Sequence, residues 1–199
     1  MAGRPRGIDD TAILRAAVDV MGRTGPAGLT LAAVAREVAL VPGTLVQRFG
    51  SKRGMLLALA EQGVRDAERL VGHVRAAHDS PLDALDALVT ATWSAVETPE
   101  AYAHHLAFLC ADLSDPEFHR LALAVQQAQA AAVHALLDEA GQAGELRPGT
   151  DVAALAAAVR AAVAGAGLLW AVDREGALAQ RQRAAVAAAL APYRREDIR

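Results

Sequence analysis

Start signals for helices recur along this chain and constrain its fold more than any other feature. Three segments pair a capping hydroxyl with a proline at the first helical position: Ser80-Pro81, Thr98-Pro99 and Ser114-Asp115-Pro116. Proline is tolerated there because the first turn of a helix has no partner for its backbone N–H. Two segments add the acidic residue of a capping box, Asp83 and Glu117. Each signal predicts the start of a helix.

The composition favours helices throughout the chain. Apolar residues make up 53% of the 199 residues, with much of that share alanine, and aromatic residues only 4%. Alanine has the highest helix propensity, and β-branched residues, which favour strands, seldom follow one another here. The sequence therefore predicts an all-α fold of about nine helices with a buried core, and excludes a disordered chain.

Charge is divided unevenly between the two ends of the sequence. Residues 1–54 hold eight Arg or Lys against four Asp or Glu, a balance of +4. Residues 55–199 hold twelve basic and nineteen acidic residues, a balance of −7, within a net charge of −3. Such a cationic segment favours contact with a polyanion, and the split is more typical of nucleic-acid binding than of a membrane partner.

Cysteine content and the N-terminus bear on the compartment. Cys110 is the single cysteine, which excludes an intrachain disulfide, a four-cysteine zinc site and a CxxC redox motif. The basic start, residues 1–7, leads directly to Ile8-Asp9-Asp10 without the apolar run of a secretory signal. A cytoplasmic protein without a cofactor is the expectation.

The segment from Val152 to Val172 has the length of a membrane span. Its one charge, Arg160, falls in the middle. A central arginine costs about 2.5 to 3.5 kcal/mol on insertion scales, and alanine contributes little hydrophobic gain. We interpret the segment as a helix buried in protein.

The N-terminal region has the layout of a helix-turn-helix. A first helix from about Asp10 to Arg23 ends at Gly25-Pro26, and a second starts at the N-cap Thr30 with apolar residues at 31, 34, 35 and 38. A third short helix begins at Pro42 and ends near Phe49-Gly50, before Ser51 caps a long fourth helix. This layout is typical of DNA readers, although other small helical bundles share it.

The residues in this region carry a family resemblance. The run from Ile13 to Glu61 resembles the DNA-binding domain of the TetR (tetracycline repressor) family. The matching pieces are Gly25, Leu29-Thr30, Val34-Ala35, Gly43-Thr44-Leu45, Phe49 and Ser51-Lys52. The resemblance covers about a quarter of the chain; the remainder is similar only in helix number and length. It implies a helix-turn-helix domain at 1–54 and a helical ligand-binding and dimerisation domain at 55–199.

Several positions of this motif suit contact with DNA. Thr44, Gln47 and Arg48 share one face of the third helix, where Arg48 can read guanine and Gln47 adenine. Gly43 permits close approach of the backbone, and the helix start at Thr30 offers N–H groups to a phosphate. The predicted DNA-binding residues are Arg4, Arg6, Thr30, Pro42, Gly43, Thr44, Gln47, Arg48 and Lys52. The alternative for each polar one is a solvated surface residue.

Two positions depart from the family pattern. Val41 replaces the usual polar cap, and Val46 replaces a tyrosine that contacts phosphate. Loss of the tyrosine hydroxyl predicts weaker nonspecific affinity for DNA, or a larger contribution from Arg48 and Lys52. The cationic start around Arg4 is similar to arms that enter a minor groove, the alternative being a segment with no role in binding.

Small residues dominate the last two predicted helices and allow close helix packing. The resemblance implies a homodimer through these helices, which would place two readers on half-sites about 34 Å or a multiple apart. The predicted interface residues are Ala158, Ala162, Gly165, Leu169, Ala185 and Ala188. The alternative is internal core.

The aromatic residues of the central helices are the candidates for a ligand pocket. The predicted lining residues are Trp93, Tyr102, His105, Phe108, Phe118 and Trp170. Ordinary packing is the alternative for each ring. A group comprising His104, His105, Cys110, Asp112 and His119 is the one candidate for metal or acid–base chemistry. It lacks the i, i+4 histidine pair of a helical metal site, so we expect no metal.

These observations predict a ligand-responsive transcriptional regulator, most simply a repressor, that binds palindromic double-stranded operator DNA as a homodimer and is released by a small-molecule effector. The alternative is an activator, which would raise transcription instead of lowering it. A helical-bundle carrier or enzyme without specific DNA binding is the rival class, but the sequence contains no GxSxG, HExxH, P-loop or dinucleotide-binding motif. A nonspecific architectural DNA binder is a further rival.

Overall fold

The computed structural model describes residues 8–195, apart from the side chains of residues 111 and 112. Over this range the fold is all-α, as predicted, with one isolated bridge between Leu146 and Arg194 in place of any longer strand. The helices are α1 (Asp10–Gly28), α2 (Leu31–Glu37), α3 (Pro42–Phe49), α4 (Lys52–Ala77), α5 (Pro81–Thr92), α6 (Pro99–Asp112), α7 (Pro116–Gln142), α8 (Val152–Asp173) and α9 (Leu178–Leu190).

The chain forms two compact units. The first combines the chain up to Gly63 with Glu100–Ala122, and the second combines Val64–Pro99 with the chain from Leu123 onward. Helices α4 and α7 therefore contribute residues to both units. The predicted functional division into 1–54 and 55–199 stays a prediction.

The predicted capping residues begin the helices that they precede. The hydroxyls of Thr30, Ser51 and Ser80 each accept a hydrogen bond from the backbone N–H three residues later, at 3.1, 3.0 and 3.2 Å. Each bond satisfies an N–H that has no partner within its helix. The start signals read from the sequence are therefore confirmed at α2, α4 and α5.

The start of α7 differs from the prediction in one respect. The carboxylate of Asp115 accepts hydrogen bonds from the backbone N–H groups of Glu117 and Phe118, at 2.9 and 3.4 Å. The residue directly before Pro116 is thus the cap, and its carboxylate takes the role that the sequence assigned to a hydroxyl. A charged acceptor is also the better partner for a helix N-terminus.

The core of the first unit fixes the three N-terminal helices against each other. Leu29, Val34, Leu45 and Met55 have no exposed side-chain surface and belong to one apolar cluster. Gly25 interrupts α1 with a left-handed φ of 68°, at the position where the sequence predicts the end of the first helix. The apolar periodicity thus produces a small helical bundle whose turns lie where the sequence places them.

The second unit has its own core, built from α5, α7, α8 and α9 with the end of α4. Its α8 buries one face, including Leu155, Val159 and Trp170, while Leu168 and Val172 are exposed. By length and composition α8 could cross a membrane, and 22% of its most apolar window is buried. The expectation of a helix buried in protein is thus correct for one face and wrong for the other within a single chain.

The turn between α2 and α3 contains a residue in an unfavourable conformation. Ala39 has φ 52°, a left-handed value that costs a residue with a Cβ roughly 1–2 kcal/mol, and its side chain is exposed. We predict that Ala39→Gly raises the free energy of unfolding by about 0.5–1 kcal/mol, the strain relief exceeding the added chain entropy. Urea denaturation at fixed protein concentration measures this change. Ala33→Gly, within α2, should lower stability by a similar amount; stabilisation by both substitutions would contradict the explanation.

Candidate functional site

Helix α3 is held by one buried side and presents the other side to solvent. Leu45 is fully buried, whereas Val41, Pro42, Val46 and Gln47 are exposed. Thr44 is half-buried, and a Cβ built at Gly43 would meet no atom within 4 Å. The residues predicted to face DNA therefore form an open surface on a short helix whose orientation is set by core packing.

A close backbone contact also fixes the position of α3. A Cβ at Gly54, in the first turn of α4, would lie 2.0 Å from the carbonyl oxygen of Phe49. Since no side chain fits that gap, glycine is required for α4 to begin so close to the end of α3. Sequence analysis did not single out Gly54; its position three residues after the cap Ser51 was the available signal.

Arg48, predicted to read bases, is bound within the first unit. Its Nη1 donates to the carbonyl oxygen of Ile8 and to Asp10 Oδ1, the latter at 3.1 Å. Asp10 lies 38 residues away in the sequence, so no local pattern indicates this pairing. Contact with a base would require the guanidinium to exchange these partners.

Other predicted DNA-binding residues have different surroundings. Lys52 Nζ donates to the carbonyl oxygen of Pro26 at 2.9 Å, which ties the start of α4 to the end of α1. Thr30 is exposed at the start of α2. Arg4 and Arg6 lie outside the described residues.

Arg53 joins α4 to the start of α7 through charged and aromatic contacts. Its guanidinium binds Asp115 at 3.0 Å and Glu117 at 2.9 Å, and lies 5.4 Å from the centroid of the Phe118 ring. The Arg53 hydrogen bond, followed by the backbone N–H of Glu117, lowers the pKa of Asp115. Sequence analysis did not identify this structural role of Arg53.

Helix α6 belongs to the first unit and contacts the break in α1. The Nδ1 of His104 lies 2.7 Å from the carbonyl oxygen of Gly22, so Nδ1 is the donor. A Cβ at Gly25 would lie 3.1 Å from the same ring, closer than an ordinary contact, and the φ of 68° at this position is itself strained for a residue with a side chain. Burial, and then the neighbouring His104, lower the pKa of His105, while burial raises the pKa of Tyr102. These residues are close to the helix-turn-helix.

The six residues predicted to line a ligand pocket are divided between the two units. Tyr102, His105, Phe108 and Phe118 belong to the first unit, where both phenylalanines pack with its core. Trp93 and Trp170 belong to the second and line one cavity of about 260 Å³.

That cavity contains a buried amide that sequence analysis did not identify. Gln182 lines it with 1% of its surface exposed, and neither amide atom has a hydrogen-bond partner among residues 8–195. Trp170 Nε1 donates to the carbonyl oxygen of Gly176 at 3.0 Å, so one wall is fixed by the loop after α8. The other polar side chains of the lining are Thr90, Ser94 and Glu97, so polar and apolar groups contribute to the cavity wall in similar measure.

The residues predicted for the dimer interface lie on the surface of the second unit. Ala158, Leu169 and Ala188 are exposed, and Ala162, Gly165 and Ala185 are half-buried. Alternate spacings of four and three residues along α8 define an apolar seam of Ala154, Ala158, Ala161, Gly165, Leu168 and Val172. This spacing is typical of a helix that packs along another helix.

Within the described part of the chain, no three His, Cys, Asp or Glu side chains lie close enough together to hold a metal ion. His104 instead contacts the backbone of α1.

The short α2, the turn at Ala39 and the exposed α3 define a helix-turn-helix protein of the transcription-regulator class. A model of bacterial regulatory proteins of the tetR family matches residues 13–59. A model of the C-terminal domain of BetI-type transcriptional repressors matches residues 81–193, more than half of the chain. The chain belongs to the tetR family of regulators, as the sequence resemblance predicted.

Two characterised relatives share part of the sequence. The HTH-type transcriptional regulators BetI of Paraburkholderia xenovorans (strain LB400) and Paraburkholderia phytofirmans (strain DSM 17436 / LMG 22146 / PsJN) are each 32% identical over 111 residues. The match covers 55% of this chain and 57% of each relative, so it spans little more than half of their length.

Solved structures share the fold over nearly the whole chain. SmeT, the repressor of the Stenotrophomonas maltophilia multidrug efflux pump SmeDEF, is 20% identical with a TM-score of 0.70, covering 97% of this chain and 94% of its own. The ketosteroid regulator KstR2 of Mycobacterium tuberculosis is 19% identical with a TM-score of 0.65, covering 98% and 99%. At these identities the similarity is one of fold.

The Arg53 contacts predict a measurable change at Asp115. Arg53→Gln should raise the pKa of Asp115 toward its ordinary value of about 3.9, though only partway because the backbone N–H bonds remain. Since the folded pKa is the lower one, the stabilisation is present above the unfolded pKa and disappears as pH falls through the folded pKa. Carboxyl-carbon NMR titration measures the pKa. Arg36→Gln, an exposed arginine of α2, is the control; an unchanged Asp115 pKa in Arg53→Gln would refute the contact.

Proposed function

We propose that this protein is a ligand-responsive transcriptional repressor that binds palindromic operator DNA as a homodimer in the cytoplasm and is released by a small-molecule effector. The observation that carries the proposal is the coincidence of the tetR-family match at residues 13–59 with a helix-turn-helix whose α3 is exposed. Helix α3 contains no acidic residue, and residues 1–54 carry +4, as contact with phosphates requires.

The DNA-binding surface is proposed to be the exposed side of α3 with the start of α2. Gln47 and Thr44 are its available polar groups, Gly43 allows the backbone to approach, and Thr30 places free N–H groups near a phosphate. Arg48 joins them only by exchanging its contacts with Ile8 and Asp10. Lys52 can offer a phosphate its remaining N–H groups. Arg4 and Arg6 remain proposed minor-groove contacts.

The apolar seam of α8 supports the proposed homodimer. Leu168 and Leu169 expose 54% and 59% of their surface, and Val172 exposes 73%. Three large apolar residues on one turn and a half of helix form a patch that a soluble protein usually covers. A symmetric pairing of α8 and α9 with a second copy would cover it and bring two α3 helices to successive half-sites.

The cavity at Trp93, Trp170 and Gln182 is the proposed effector site. Its volume of about 260 Å³ falls just below the usual range of ligand pockets, which favours a small effector. Structural relatives bind ligands: SmeT has been crystallised with triclosan, and FadR of Bacillus subtilis with stearoyl-CoA. An effector that binds one conformation of the dimer more tightly would shift the population away from the DNA-bound form.

Fluorescence anisotropy with the DNA upstream of its own reading frame tests the DNA-binding proposal. Affinity should fall steeply with salt, and Gln47→Ala should reduce the preference for this DNA over random duplex by about tenfold, the lower part of the range for a base contact. Gln180→Ala, an exposed glutamine of α9, is the matched control. Equal affinity of the wild type for all duplexes would refute specific binding.

The dimer proposal has a separate test. Leu168→Glu places a charge on the apolar seam and should yield a monomer in sedimentation velocity, with a large loss of operator affinity because both half-sites are no longer bound together. Leu113→Glu changes a leucine of similar exposure, 49%, in the first unit and should leave the dimer intact. A monomeric wild type would overturn the proposed assembly.

A further inference from the structure

The exposed side of α3 is unusually apolar for a surface that meets DNA. Val41 exposes 67% of its surface and Val46 exposes 48%, and Pro42 is also exposed. We call these three residues the apolar patch. None of them belongs to the core of the first unit, which α3 contacts through the buried Leu45 and the half-buried Phe49.

The patch is continuous because of helix geometry. Pro42 and Val46 are four residues apart and therefore lie on one face, and Val41 precedes them at the N-cap. Val41 makes no side-chain capping bond, so its side chain has no local polar role. Gly43 and Gln47 form the adjacent row. The strip of the α3 surface beside Gly43 and Gln47 thus offers methyl and methylene groups rather than hydrogen-bond donors.

The polar groups near the patch do not offset its apolar character. Arg48, which lies two residues after Val46, is bound to Ile8 and Asp10. Lys52 donates to the backbone of Pro26. Gln47 is the remaining exposed polar side chain within the helix. Recognition of bases through this surface must therefore depend largely on apolar contact.

The surroundings of the patch indicate nucleic acid as its partner. The patch lies on the helix that the tetR-family match assigns to the helix-turn-helix, within the segment of charge +4. A segment of net positive charge is complementary to the phosphates that flank the base edges. In the major groove, the one apolar group that a base displays is the C5 methyl of thymine.

We propose that Val41, Pro42 and Val46 read thymine C5 methyl groups in the operator, so that methyl contact rather than arginine–guanine pairing sets much of the sequence preference. This inference rests on the proposed function, since it names what the DNA-binding surface recognises. A reader of this kind responds to the methyl itself and accepts 5-methylcytosine, which carries its methyl at the same place in the groove. Each methyl buried is expected to raise affinity about fourfold, which corresponds to about 0.8 kcal/mol.

Replacement of single thymines by deoxyuridine tests the proposal directly. Deoxyuridine removes only the methyl and keeps base pairing, so wild-type protein should lose about fourfold in affinity at each contacted thymine and nothing elsewhere. Val46→Ala should lower affinity for the thymine duplex and abolish the deoxyuridine effect at one position or more per half-site. Val46 is exposed, so its replacement does not disturb the core.

Two controls separate methyl reading from general effects. Leu123→Ala changes a leucine of similar exposure, 46%, outside the helix-turn-helix and should retain the full deoxyuridine effect. A contacted T·A pair changed to C·G should lose affinity, and methylation of that cytosine at C5 should recover about fourfold of the loss for wild type but not for Val46→Ala.

The outcomes distinguish this inference from the proposed function. If wild type prefers its operator but binds every deoxyuridine duplex equally well, methyl reading is overturned and DNA-binding regulation stands. The same conclusion follows if Val46→Ala keeps the full deoxyuridine effect at every position. If wild type shows no preference for any duplex, the proposed function itself fails.

Discussion

The orientation of α3 is the constraint on which the DNA-binding surface depends. A helix of eight residues cannot maintain its own position, so its direction comes from the buried Leu45 and from the gap-free contact between Gly54 and the carbonyl of Phe49. Both contacts are short and rigid. Neither contact involves the solvent-facing residues of α3, so those residues can vary in chemistry without loss of the fold.

The charges of the first unit serve structure as much as binding. Arg48, Lys52 and Arg53 each bind a carbonyl or carboxylate within the unit. A positive segment in the sequence is therefore not equivalent to a positive surface available to DNA. Because these cations are already bound within the unit, the apolar patch and Gln47 are the main exposed features of α3.

Local signals made most of the fold predictable from the sequence. Thr30, Gly25 and Pro42 each act on neighbouring backbone, so their effects follow from a few adjacent residues. The site was less accessible. Arg53 meets Asp115 across 62 residues, and no local pattern records such a pairing. The left-handed Ala39 was missed because alanine gives no sign of a positive φ. The burial of Gln182 was missed because a glutamine in a helix is usually exposed.

The first unit is assembled from two separate stretches of sequence. Its N-terminal helices are completed by α6 and the start of α7, through His104 at Gly22 and through Arg53 with its acidic partners and Phe118. During synthesis, the chain must therefore be extended from Phe49, the end of α3, to about Ala122 before this unit can complete its core. Such nonlocal contacts slow folding. The helix-turn-helix therefore reaches its final packing only after α6 and the start of α7 have been translated.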